Sequence, residues 1–157
     1  RPRDANMSAA KIAAPVETFQ ISPQLTASTH KVCSLPLCDV LLNDDKTWPW
    51  VILVPRRAGA VEIHDLSDTQ QVELVREIST CSRAIHTEWN VDKMNVGALG
   101  CVCRQLHVHV LGRFTHDMLW PAPVWGASTP KPYGTEVKET VERMAACVTR
   151  EWEKRVQ

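Results

Sequence analysis

The sequence predicts an α+β domain, with one antiparallel sheet of about five strands and two main helices. Three observations carry this. Residues 31–54 hold two β-prone apolar runs separated by a turn, and residues 67–89 and 137–152 repeat apolar residues at helical spacing. The elements follow in the order strands, helix, strands, loop, helix, which is not the strand–helix alternation that builds a parallel sheet.

Taken in order, "KVCSLPLCDVLLN" (31–43) is β-prone, and Pro36, which has no N–H for a ladder, belongs at an edge, a bulge or a break. "NDDKT" is turn chemistry and leads into "WPWVILVPRR", whose stretch Trp50–Val54 reads as a buried strand ended by Pro55. The two runs are expected to pair as an antiparallel hairpin. Ser67 followed by Gln70 forms a capping-box pattern, and Val72, Val75, Ile78, Ile85 and Trp89 mark an amphipathic helix over 67–89. A strand over Lys93–Ala98, a glycine turn at 97–100 and a strand within 103–114 follow. Val137, Val141, Met144, Val148 and Trp152 mark the second helix, within a C-terminal segment, 135–157, packed on the domain. Residues 114–134 between them hold too many prolines for regular structure, so they form a long ordered loop or an arm covered by a partner.

Composition limits the function classes. The 157 residues suit one domain, with 23–134 as its body and a Trp/Pro-rich arm at 117–134. Lys+Arg and Asp+Glu both number 18, so net charge gives no attraction for nucleic acid or an anionic membrane, and a phosphate ligand must be held locally. No apolar run approaches the roughly 20 residues a membrane-spanning helix needs. Six cysteines without a secretory leader read as reduced thiols in an intracellular compartment, cytoplasm or mitochondrial matrix. Their spacing is too loose for a zinc site. The opening "RPRDANMSAAKIAAP" begins with Arg and has the basic, Ala-rich composition of a transit peptide or a disordered tail, so residues 1–22 are expected to be an N-terminal tail or processed extension.

The chemistry concentrates in "CRQLHVHVLGRF" (103–114). Side chains alternate on a strand, which puts Gln105, His107 and His109 on one face and Leu106, Val108 and Val110 on the other. A His-x-His pair also supplies two imidazoles to a metal, but His116 is the sole weak candidate for a third ligand, and no metal or other cofactor is expected.

"QLHVHVLGR" resembles the signature strand of the histidine triad (HIT) family, His-φ-His-φ-His-φ-φ with φ apolar, with Gln105 at the first triad position. "LLNDDKTWPWVILVPRR", "EIHDLS", "DKMNVGALG" and "HDMLWPAPVWG" are similar, in order, to segments of a bacterial-type branch that itself carries this Gln, and the likeness spans residues 24–134. The resemblance implies a HIT-like fold and nucleotidyl transfer or hydrolysis at the α-phosphate of a nucleotide or dinucleotide. On this chain His107 would be the nucleophile that forms a nucleotidyl-phosphohistidine, His109 a hydrogen-bond partner of the phosphate, and Gln105 an amide bridge to phosphate or leaving-group oxygen. A glutamine cannot act as a general acid, which favours leaving groups that need no proton. Asp44 would bind the ribose, Asn95 would line the phosphate side, Leu41 and Ile52 would wall the base, and Arg56 and Arg57 would be candidates for phosphate contact. The resemblance also implies a homodimer joined near Met94–Ala98 and part of helix 67–89. Two departures stand out: Ala58 lies where many members have a histidine, and Cys101 occupies the place of an asparagine that steadies the phosphate. They leave an alternative, a catalytically weakened HIT-fold subunit of a larger assembly, with the arm "WPAPVW" and the N-terminal tail as contact surfaces for a protein partner.

Overall fold

Five strands, β1 (Thr29–Ser34), β2 (Cys38–Asn43), β3 (Trp50–Pro55), β4 (Lys93–Gly97) and β5 (Val108–Arg113), form one antiparallel sheet in the computed structural model, which describes residues 18–127 and 129–155. Their spatial order is β1-β2-β3-β5-β4, so β1 and β4 are the edges. The expected hairpin is β2 against β3, with Leu41 opposite Ile52 and Leu42 opposite Val51. The β-prone run 31–43 is two strands rather than one, because the chain reverses at Leu35-Pro36-Leu37. Leu35 N donates to Cys38 O across 2.9 Å, and the free amides of Leu37 and Cys38 donate to the buried carboxylate of Glu77 at 2.6 and 2.8 Å.

Both faces of the sheet are covered. Val40, Leu42, Val51, Leu53, Val108 and Val110 point to one side, where they pack with the two long helices, α2 (Asp68–Trp89) and α3 (Val137–Glu153). Leu41, Trp50, Ile52, Val54 and Leu111 point to the other, where a helical turn, α1 (Pro23–Thr26), the loop before β5 and the arm after it close over them. This second face carries the polar groups of β5, and the site lies there.

The α2 helix starts as its capping box predicts, with Ser67 and Gln70 exchanging side-chain and backbone bonds. Its inner face matches the expected one in part: Ile85 is buried and Ile78 and Trp89 pack against the core. Leu74, Glu77, Cys81, Ala84 and Ile85 are buried, whereas Val72 and Val75 are 52% and 64% exposed. Close approach of the helix end to the sheet needs a glycine on β5: a Cβ at Gly112 would lie 2.5 Å from Val91 Cγ1 and 3.0 Å from Ile85 Cγ2. In α3 the expected stripe holds, with Met144 and Val148 buried and Val137, Val141 and Trp152 against the same core.

The packed part of the domain begins before residue 23. Phe19 and Ile21 lie on the second face, and Ser22 caps the turn that buries Leu25. The transit-like residues 1–17 lie outside the described residues. The arm docks on its own chain: buried Arg113 donates from Nε and Nη2 to the two oxygens of Asp117 at 2.7 and 2.9 Å, and from Nη1 to Ala122 O at 2.9 Å.

Candidate active site

The β5 strand begins at Val108, so His109 stands on the strand, His107 just before it and Gln105 off it. The three therefore do not share one strand face as expected. Pairing stops at Val108 because Leu106 N donates to Ala60 O, at 2.9 Å, which draws the preceding residues away from the sheet. His109 faces Ile52 on β3 and Gly97 on β4. Gly97 admits the indole of Trp125 from the arm, since a Cβ there would lie 3.2 Å from that ring, and the Trp125 and His109 ring centroids are 6.4 Å apart.

Hydrogen bonds settle which nitrogen of each imidazole carries a proton. His107, 7% exposed, has Nδ1 2.7 Å from the carbonyl oxygen of Gln105. A carbonyl only accepts, so Nδ1 bears the hydrogen and Nε2 keeps a lone pair. His109 is the reverse. The indole N–H of Trp50 donates to its Nδ1 across 3.1 Å, and an indole only donates, so the single proton of neutral His109 sits on Nε2. Burial, with the neighbouring His107 as a smaller cause, lowers the His109 pKa to about 4, which keeps the ring neutral near pH 7. The two rings meet edge to face with centroids 5.0 Å apart. A nucleophilic lone pair thus stands beside an N–H donor that stays uncharged.

Both histidines open onto a cleft of about 370 Å³, walled by Ile52, Leu25, Gln24 and the loop from Leu99 to Cys103, a volume within the range of small-molecule sites. Of the expected site residues, Ile52 and Cys101 line this cleft, and Leu41 is buried in the layer beneath it. Asp44 lines an adjoining hollow of about 200 Å³, where its Oδ1 accepts from Tyr133 N at 3.0 Å. Asn43 and Ser28 border both spaces. Asn95 is not at the cleft wall; its Oδ1 accepts from Arg113 Nη1 at 3.1 Å, so it belongs to the cluster that anchors the arm. Arg56 donates to Asp39 Oδ1 at 3.1 Å and to the carbonyls of Leu35 and Pro36 at 2.7 and 2.8 Å, away from the cleft lining. Arg57 borders a separate hollow with Gly59 and Asp65. Gln105 accepts from Ser22 N and donates to Gln20 O, both at 2.8 Å. His116 lies beside Phe114 rather than the histidine pair, and among the described residues no group of three or more His, Cys, Asp or Glu is arranged to hold a metal ion.

Sequence reasoning missed Trp50 and Asn43. Strand parity held the signal for Trp50: it shares a face with Ile52, the cross-strand partner of His109, and so lies on the diagonal within reach of a long aromatic side chain. Asn43 likewise has the parity of Leu41, on the site face of β2.

Residues 24–116 match the family described as the HIT domain. No curated protein matches the chain. Among solved structures, a histidine triad protein from Marinobacter aquaeolei VT8 is 42% identical with a TM-score of 0.82, over 85% of this chain and 98% of that one. One from Bradyrhizobium japonicum is 41% identical with a TM-score of 0.80, over 84% of this chain and 99% of that one. A third, from Sinorhizobium meliloti 1021, is 36% identical with a TM-score of 0.79, over 85% and 97%.

Proposed function

This chain belongs to the HIT family, and on that premise we propose that it is a nucleotide hydrolase or nucleotidyltransferase acting at an α-phosphate through His107. The observation that carries the reading is the opposed protonation of the two imidazoles: Nδ1 of His107 is tied to Gln105 O at 2.7 Å, and Nδ1 of His109 to the Trp50 indole at 3.1 Å. In the first step His107 Nε2 attacks phosphorus, a P–N bond forms, and the P–O bond to the leaving group breaks with its electron pair going to that oxygen. His109 Nε2–H donates to a phosphoryl oxygen as charge builds there. Water or another acceptor hydroxyl then attacks phosphorus and gives up its proton to solvent, the P–N bond breaks, and His107 is restored as its lone pair returns to Nε2.

Phosphate and pyrophosphate are the leaving groups that suit this site, since neither glutamine nor a neutral His109 is an efficient proton donor. Ile52 and Leu25 offer apolar surface for a base, and the side chains of Asn43 and Asp44 offer polar partners for a ribose. We also propose a homodimer through β4. Its outer edge is open, Val96 on it is 46% exposed, and an exposed apolar edge strand is an aggregation hazard unless covered. Sedimentation at micromolar concentration should give twice the chain mass, and a monomer would refute the dimer. For the chemistry, a panel of dinucleoside polyphosphates and nucleoside phosphoramidates followed by ³¹P NMR should show hydrolysis of the former, lost in His107→Ala. Equal activity of wild type and His107→Ala would refute the mechanism.

A further inference from the structure

The side chain at the first triad position bonds the N-terminal segment. A carboxamide offers donors on its NH2 and acceptor sites on its C=O, so it can bond a backbone N–H and a backbone C=O at once, as a peptide group does. Gln105 directs one of each to the N-terminal segment, donating to Gln20 O at 2.8 Å and accepting from Ser22 N at 2.8 Å. These are residues i and i+2 of an extended segment, the spacing with which one strand bonds its neighbour. The side chain of Gln105 thus stands in for a missing strand. Immediately beyond Ser22 the chain turns through α1, where Gln24 and Leu25, with Ser28 after it, form one wall of the cleft that His107 and His109 open onto. The backbone of the same Gln105 accepts from His107 Nδ1 at 2.7 Å.

We propose that Gln105 is a positioning residue that joins the nucleophile to the substrate-binding wall: its carbonyl aims His107, while its side chain holds the segment Gln20–Ser28 against the cleft. This rests on the nucleotide reading above and reassigns the amide expected to bridge to a leaving group. Phe19 and Ile21 give the segment apolar contact with the sheet, but apolar contact is non-directional, and it is the two amide bonds that fix the register of the segment along it. The substrate-side consequence is specific. Removing the amide leaves the Gln105 carbonyl, and with it the His107 tautomer, in place. The loss therefore falls on substrate binding, not on the chemical step.

The test pairs Gln105→Met, which keeps chain length and loses both bonds, with Gln105→Glu, which keeps the acceptor for Ser22 N–H and loses the donor to Gln20 O. Hydrogen exchange of the unliganded protein reads the clamp directly. Ser22 N–H should lose protection in Gln105→Met and keep most of it in Gln105→Glu, while the β5 amides, which report an intact fold, stay protected in both. With diadenosine triphosphate as substrate, KM should rise up to about thirtyfold in Gln105→Met, as expected for two lost hydrogen bonds of ordinary net worth, and kcat should stay within about twofold. Undiminished Ser22 protection in Gln105→Met would overturn the clamp. Lost protection with a fall in kcat at constant KM would overturn its role in binding and return Gln105 to the leaving group. If the wild type turns over no nucleotide, the hydrolase reading and the substrate half of this proposal fall together, and Ser22 exchange alone still decides the clamp.

Discussion

Trp50 donates its indole N–H to Nδ1 of His109 across 3.1 Å, and this one bond decides which nitrogen of His109 faces the cleft with a proton on it. The pair joins β3 to β5 along a cross-strand diagonal, so the tautomer is set by the sheet itself rather than by a mobile loop.

Trp50→Phe keeps an aromatic ring and removes the donor. Without it the proton of His109 can move to Nδ1, and an Nε2 lone pair would face phosphate oxygens instead of a donor. Loss of a hydrogen bond to a developing charge costs about 1.5–3 kcal/mol, and turnover should fall roughly 10–150-fold, while the smaller ring also lowers the melting temperature because Trp50 is part of the core. Nitrogen-15 chemical shifts of the His109 ring report the tautomer independently of turnover. Wild-type rates together with a wild-type tautomer in Trp50→Phe would disprove the assignment.

The depressed pKa of His109 makes stability depend on acid in a defined window. Burial lowers it from 6.5 to about 4, so between these values the unfolded chain binds the proton that the folded chain refuses. The stabilising contribution is complete above about pH 6.5 and is lost as pH falls toward 4. One pKa unit corresponds to about 1.4 kcal/mol, which bounds the loss at about 3 kcal/mol. Urea unfolding at a series of pH values should show the wild type losing more stability across this range than His109→Gln. Parallel pH profiles would count against a buried, neutral His109.

Arg113 and Asp117 hold the arm, and the guanidinium keeps the Asp117 carboxyl well below the usual carboxylate range. Asp117→Asn leaves a buried guanidinium without its counter-charge, a change that costs about 3–5 kcal/mol in comparable buried pairs. The arm should loosen and carry Trp125 away from Gly97, seen as a red shift of tryptophan emission and a lower urea midpoint. An unchanged spectrum and midpoint would show that the arm is held by Val124 and Trp125 alone.

The periodic parts of the fold were legible from the residues, because a buried strand or helix repeats its apolar side chains whatever its partners are. The β2–β3 hairpin, the capped start of α2 and the stripe of α3 all follow from that rule. Three features were not legible for identifiable reasons. Val72 and Val75 fit the same period as Ile78 and Ile85, yet Leu74, Glu77 and Cys81 take the inner face of the first turns and leave both valines exposed. Gln105 continues an alternating pattern, yet the Leu106–Ala60 hydrogen bond draws the chain off the sheet there, and the strand starts only at Val108. Asn95 and Arg56 looked like ligands because their side chains carry the right groups, whereas buried acceptors and charges elsewhere in the fold claim them first. The histidine pair itself was legible as a motif, but the direction of its protons depends on Trp50 and on a backbone carbonyl, which no local pattern reveals.

The central claim is that Nε2 of His107 becomes covalently bonded to phosphorus during turnover. Rapid acid-free quenching of the wild type with a dinucleoside polyphosphate, followed by peptide mass spectrometry, measures this directly. The account predicts a nucleotidyl group on the peptide that carries His107, formed and lost at rates consistent with kcat and missing from His107→Ala. Steady turnover by the wild type with no adduct at His107 at any time, or with the group on His109, would contradict it.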